Sequence, residues 1–367
     1  MNPLRQLTEL GQSIWLDYIR RDLITSGQLQ RLIDEDGLSG LTSNPTIFSK
    51  ALADETDYDS AIQKILVDSP DIGTPALFEK IEIEDLQMAA DVLRPVYERT
   101  GGSDGFVSIE VSPHLAYDTE RSIAEARRLW GEVNRKNLMV KIPATTEGIP
   151  AIEQLLAESI NINITLMFSV SQYEQVAEAY LRAMQRNSNP HAVTSVASFF
   201  VSRVDTAVDR ALGEIGTSEA LAMRGKAGIA NAQLAYRRFR QIFSGPEFAK
   251  MKSRGIRIQK PLWASTGTKN KAYSDVMYIE GLIAPDTINS IPPETLAAFR
   301  DHGKAQIALN EDTTEAGDVV GRLLELDIRL TSIGLELTNE GVEKFIASYD
   351  QLAEALDRKR ASLARAA

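Results

Sequence analysis

LMVKIPATTEG, residues 138–148, sets a lysine inside an apolar run and follows the run with a proline. Strands of a parallel sheet covered on both faces read as nearly unbroken aliphatic runs, so Lys141 is out of place in an ordinary layered sheet. Side chains alternate strictly along a strand. Leu138, Val140 and Ile142 therefore share one face, and Met139 and Lys141 share the other. In a sheet closed on itself, the first face meets surrounding helices and the second points into the barrel.

The same division recurs along the chain. In FVSIEV (106–111), Val107, Ile109 and Val111 oppose Ser108 and Glu110. In NITLMF (163–168), Ile164 and Leu166 oppose Asn163 and Thr165, and in SIWLDYI (13–19), Ile14, Leu16 and Tyr18 oppose Trp15 and Asp17. VTSVAS (193–198) and KPLWAS (260–265) carry Ser198 and Ser265 on the polar parity, while GLTSN (40–44) and DTINSI (286–291) bring the strands to eight. One polar residue inside a strand is often a satisfied core group, as Ser108 or Thr42 could be. A lysine and two carboxylates on one parity are harder to account for that way, and they stand near strand C-termini, where barrel enzymes place their chemistry.

Between the strands lie amphipathic stretches such as 118–136 and 169–187, the second with Val170, Tyr173, Val176, Ala177 and Tyr180 at helical spacing. Asp118 and Ser171 are expected N-caps, with Glu174 completing a capping box behind Ser171. Eight strand–helix units close a (β/α)8 TIM barrel, and 367 residues exceed the ~250 that such a barrel usually needs. The excess reads as extra helices after strand 2 (45–100) and strand 6 (211–243), and as a C-terminal helical extension (313–367). One domain spanning 1–367 is expected, its barrel at about 13–305. A doubly wound sheet would want a Gly-rich phosphate loop after its first strand, and DYIRRDLI has none.

Composition narrows the partners. With 51 acidic and 40 basic residues the net charge is −11, which argues against nucleic acid or an anionic membrane. There are no cysteines, and the three histidines, His114, His191 and His302, stand far apart without a metal-ligand pattern, so no metal and no cofactor is expected. No apolar run approaches the ~20 residues of a bilayer span, and the first residues lack the basic and apolar regions of a secretory signal. A cytoplasmic protein, monomer or homodimer, is expected.

Desolvation disfavours the charged form of a lysine and makes a neutral amine available. Such an amine attacks a ketone to give a Schiff base, an electron sink for breaking the neighbouring carbon–carbon bond. Glu110 and Asp17 are the inward carboxylates available to move protons. The plainer alternative is a Lys141–Glu110 pair that only ties two strands, although buried pairs of that kind stabilise poorly. Arg203, where a helix begins above strand 6, and Ser265 and Lys269 in STGTKNKAYSD, with Lys271 nearby, could gather an anionic group in an otherwise acidic protein.

GLTSNPTIF, LMVKIPATTEGIPAI, INITLMFSVSQYEQVAEAY, SVASFFVSRVDTAVD and PLWASTGTKNKAYSDVMYIEGLIAPDTINSIPPETL, in that order, resemble segments of the transaldolases, over about residues 13–300. The resemblance implies transfer of a dihydroxyacetone unit from sedoheptulose 7-phosphate or fructose 6-phosphate to glyceraldehyde 3-phosphate or erythrose 4-phosphate, in the non-oxidative pentose phosphate pathway. It implies Lys141 as the Schiff-base nucleophile and Asp17 as the base for the donor's C4 hydroxyl. Glu110 would be an acid/base acting through a water that Thr165 helps to hold. Asn44, Asn163 and Ser198 would bind the dihydroxyacetone portion, and Arg203 and Ser265 the phosphate. Shorter transaldolases place an arginine after the strand-7 serine; here Lys269 stands in. The rivals are a Schiff-base aldolase that releases free dihydroxyacetone, whose relatives carry glutamine where Glu110 stands, and a sugar-phosphate-binding barrel without catalysis.

Overall fold

The computed structural model describes residues 2–43, 46–48 and 56–366. All eight expected segments form strands: β1 (Gln12–Asp17), β2 (Leu38–Thr42), β3 (Phe106–Glu110), β4 (Leu138–Pro143), β5 (Ile162–Met167), β6 (Ser195–Phe200), β7 (Lys260–Ala264) and β8 (Thr287–Ile291). Each pairs in parallel with its chain neighbours, and β8 closes on β1. The extra length forms helices, as expected. Thr74–Arg99 follows β2, Ser202–Ile215 and Ala227–Phe243 follow β6, and Thr314–Glu325 and Leu330–Ala366 end the chain. No helix among the described residues is long and apolar enough to cross a membrane.

The alternation read from the sequence sorts the core into two parts. Ile14, Leu16, Val107, Ile109, Leu138, Val140, Ile142 and Ile164 belong to the shell between strands and helices. Trp15, Phe106, Met139, Val196, Leu262 and Ile288, on the other parity, fill the lumen. Gly40 is required by this filling, because a Cβ there would sit 2.4 Å from the Trp15 indole. Trp15 Nε1 in turn donates to Asp104 Oδ1 at 2.8 Å, so the buried ring keeps its hydrogen bond. These apolar groups come early in their strands and the polar ones follow, so an apolar floor supports a polar mouth.

Three local expectations change. The N-cap of helix Val170–Arg186 is Ser169, not Ser171, and its capping-box partner is Gln172 rather than Glu174. Asp118 caps its helix as expected, accepting from the Arg121 amide. Leu166 leaves the outward set: its φ is 54°, and the β5–β6 register shifts between Ile164 and Met167. Its side chain turns toward Gly341 of the C-terminal helix. Ser265 lies one residue past β7 and reaches the mouth through a left-handed turn (φ 56°) instead of by strand parity.

The C-terminal helix, Leu330–Ala366, has 37 residues and, at 1.5 Å per residue, is about 55 Å long. It lies across the C-terminal face of the barrel. Thr338 donates to Leu166 O on β5 at 3.1 Å, Ser348 accepts from Thr46 beyond β2 at 2.9 Å, and Tyr349 meets Phe78 of the helix after β2 edge-on at 6.0 Å.

Candidate active site

Strand register places the polar residues side by side. Lys141 is level with Glu110 on β3 and with Asn163 on β5, and Asp17 is level with Thr42 on β2. Lys141 Nζ donates to Glu110 Oε2 and to the Ser43 carbonyl, each at 3.0 Å. Only 7% of the Lys141 side chain and 6% of that of Glu110 are exposed. Burial pushes the Glu110 carboxyl above its ordinary range, while the Lys141 ammonium pulls it back. The Asp17 carboxyl is likewise raised by burial, against the opposing pull of Lys141, the hydrogen bond from Thr42, and the more distant Arg203 and Lys269. Thr42 Oγ1 donates to Asp17 Oδ1 at 2.8 Å and lies 2.8 Å from Ser290 Oγ.

A second chain of hydrogen bonds fixes an amide. Ser198 Oγ donates to Asn163 Oδ1 at 2.6 Å, and Asn163 Nδ2 donates to Ser108 Oγ at 3.1 Å. Both acceptor and donor ends of Asn163 are thereby committed, which sets its orientation. Thr165 is different. Its hydroxyl is fully buried and has no hydrogen-bond partner among the described residues, a costly state for an interior polar atom. It lines the same cavity as Lys141 and Asp17.

That cavity has a volume of about 150 Å³ and reaches from Lys141 to Arg203, Ser265, Gly267 and Lys269. Arg203 sits in the first turn of the helix Ser202–Ile215, where the helix dipole also favours an anion. Its guanidinium lies over the Phe200 ring, 5.2 Å from the centroid, and burial lowers its proton affinity. Guanidinium nonetheless stays charged in proteins. Ser202 Oγ and Ser265 Oγ are 3.0 Å apart at the same rim. Lys269 is exposed, and its Nζ lies beside Gly267 in the loop after β7.

The structure thus brings Asp17, Lys141, Thr165, Ser198, Arg203, Ser265 and Lys269 onto one cavity. It places Glu110 against Lys141, and Asn163 against Ser198. Asn44 lies outside the described residues. Among the lining residues that the sequence reading left unnamed are Phe200, Ser290 and Phe345. Ser290 was legible, since TINSI alternates Ile288 and Ser290 inward as the other strands do. Phe345 was not, because it arrives from a helix far along the chain.

Fold and site define a barrel enzyme whose polar groups, a lysine among them, converge at the C-terminal mouth. A family model described as Transaldolase/Fructose-6-phosphate aldolase matches residues 14–356. Relatives named Transaldolase are each 44% identical to this chain. The Thiobacillus denitrificans protein aligns over 96% of this chain and 99% of its own. Those of Mycobacterium marinum and Thermobifida fusca align over 99% of both chains. The chain belongs to the transaldolase/fructose-6-phosphate aldolase family.

Proposed function

We propose that the protein is a transaldolase that carries a dihydroxyacetone unit between sugar phosphates on Lys141. The observation that carries the reading is the buried Lys141–Glu110 pair, 3.0 Å apart, at the mouth of a barrel whose other rim is cationic. Full-length similarity to proteins named Transaldolase supports it. The substrates are the ketose phosphates sedoheptulose 7-phosphate and fructose 6-phosphate, with erythrose 4-phosphate and glyceraldehyde 3-phosphate as acceptors. The setting is the non-oxidative pentose phosphate pathway in the cytoplasm, the enzyme being a monomer or homodimer.

Arg203, Ser265 and Lys269 hold the donor phosphate, which leaves the ketone near Lys141. The amine nitrogen adds to C2, a carbinolamine forms, and loss of water gives the iminium. Glu110 is the nearest acid/base for those proton transfers, working through a water that the free Thr165 hydroxyl holds. Asp17 takes the proton from the C4 hydroxyl, the C3–C4 bond breaks, and the electron pair enters the iminium to give an enamine. Asn163 and Ser198, together with Asn44, bind the hydroxyls of the retained fragment. Addition to the acceptor aldehyde runs the same steps backward, Asp17 returning its proton to the new alkoxide. Burial holds both carboxyls above the usual carboxylate range, which suits groups that gain and lose protons in turn.

The test is borohydride reduction of the enzyme with fructose 6-phosphate, followed by peptide mapping. The reading requires a reduced three-carbon adduct on Lys141; an unlabelled Lys141 sinks it. Turnover that depends on erythrose 4-phosphate distinguishes a transferase from an aldolase.

A further inference from the structure

The C-terminal helix presents one face to the mouth, and the residues along that face are Gly334, Thr338, Gly341, Phe345 and Ser348. Their spacings of four, three, four and three form a single helical stripe. Phe345 is 6% exposed and forms part of the wall of the cavity that holds Lys141 and Asp17. It is the residue this helix contributes to that lining.

The helix is anchored on both sides of Phe345. On one side Thr338 is buried, donates to Leu166 O at 3.1 Å and accepts from Gln172 Nε2 at 2.8 Å. Gly341 lies so close to Leu166 that an added Cβ would stand 2.8 Å from Leu166 Cδ2. Leu166 itself is held at φ 54°, a conformation a leucine adopts only when its surroundings over-determine it. On the other side are the Ser348–Thr46 hydrogen bond and the Tyr349–Phe78 ring contact. A side chain that lines a cavity between two such anchors is a fixed wall, and an aromatic wall offers water no hydrogen bond.

We infer that Phe345 is a specificity-determining residue, favouring transfer of the three-carbon unit over its release by keeping water from the Lys141-bound enamine. The inference rests on the Schiff-base reading given above. Release requires the enamine C3 to take a proton and then a water to add at C2 of the resulting iminium. The C–N bond breaks as dihydroxyacetone leaves and the amine is restored. The water consumed balances the one lost when the Schiff base formed, so release needs nothing beyond solvent. Transfer instead joins C3 to the acceptor's aldehyde carbon. Both routes start from one enamine, and solvent access divides them.

The experiment measures, with fructose 6-phosphate as donor, the rate of free dihydroxyacetone release without acceptor against the rate of transfer to erythrose 4-phosphate. Phe345→Ala is expected to raise the release-to-transfer ratio at least tenfold, and Phe345→Leu, which keeps apolar bulk, to raise it less. Gly341→Ala crowds the contact between the helix and Leu166 with Phe345 itself intact, and should raise the ratio in the same direction. Should Phe345→Ala not fold, Gly341→Ala and Phe345→Leu decide. An unchanged ratio in folded variants that still give the borohydride adduct on Lys141 overturns the role of Phe345. Absence of that adduct in the unsubstituted enzyme overturns the underlying reading instead.

Discussion

Lys141 and Glu110 face each other across 3.0 Å because the β3–β4 register makes them level and both point inward. A pair this deeply buried spends much of its Coulomb attraction on desolvation, so stability alone gives little reason to keep it. Under the proposed mechanism, proton transfer does. To become a nucleophile Lys141 must lose a proton, and Glu110 is the carboxylate it already touches. Glu110→Gln preserves shape and a hydrogen-bond acceptor for Lys141 but removes the acid/base. It is expected to lower kcat by ~10²–10⁴, the usual contribution of such a group, with KM little changed and the Lys141 adduct still trappable. A kcat within twofold of the parent enzyme's would remove Glu110 from the mechanism.

Asp17 gives a pH prediction with a definite sign. Burial raises its carboxyl, and the Thr42 hydrogen bond lowers it. Activity that needs the Asp17 carboxylate must rise as pH rises through this elevated value. The acid limb of kcat/KM is therefore expected above the ~3.9 of a free aspartate. Thr42→Val removes the lowering contribution, so the limb should move further up in pH, by up to about one unit if the bond stabilises the carboxylate by ~1.4 kcal/mol. A limb that moves down, or stays put while Thr42→Val folds normally, contradicts the assignment of Asp17 as the base.

Much of this site was legible because barrels impose a period of two. Asp17, Glu110 and Lys141 interrupt apolar runs on one parity, and the closed barrel turns a shared parity into a shared space. Two kinds of information were missing from that period. Backbone departures were one: Leu166 and Ser265 adopt positive φ although neither is glycine, so that Leu166 leaves its expected face and Ser265 reaches the mouth by a turn and not by strand parity. Assembly across long sequence distances was the other. Phe345 reaches the cavity of Lys141 only because the C-terminal helix returns across the mouth, and the helix period alone says which residues share a face, not what that face will cover. The capping error has a local cause. Ser169 and Ser171 flank the first helical residue, Val170, their hydroxyls 3.1 Å apart, and Gln172 closes the box on the first of them.

At the cationic rim, Lys269 and Arg203 differ in how they are held. Arg203 is largely buried and stacked on Phe200, whereas Lys269 is an exposed ammonium on a loop. Lys269 is a point charge, without the planar fork of arginine. Lys269→Ala is expected to raise KM for fructose 6-phosphate about tenfold, at the low end for a hydrogen bond to a charged group, with kcat nearly unchanged. Arg203→Ala should cost more in kcat/KM, since it also uncovers Phe200. Steady-state kinetics at two ionic strengths checks the pair. If Lys269→Ala leaves KM unaltered, some other group completes the phosphate site.

Glu82 gives the last prediction, on stability. This glutamate of the helix Thr74–Arg99 is 8% exposed, and burial, reinforced by the charges of Glu110, Glu79 and Asp85, pushes its carboxyl up to about 8 against an opposing pull from Lys141. In the unfolded chain a glutamate titrates near ~4.3. Between those values the folded state holds a proton that the unfolded state has released, so this group's contribution to stability falls as pH rises through the window. Glutamine reproduces the neutral form at every pH. Glu82→Gln is therefore expected to match the parent near pH 5 and to unfold at higher temperature near pH 9. The gain should exceed ~1.4 kcal/mol, the equivalent of a tenfold change in proton affinity. Comparing Tm for the two proteins across that range isolates Glu82 from Asp17 and Glu110, which are raised in both. A Tm difference that does not grow with pH would mean that Glu82 is not held in its neutral form inside the folded protein.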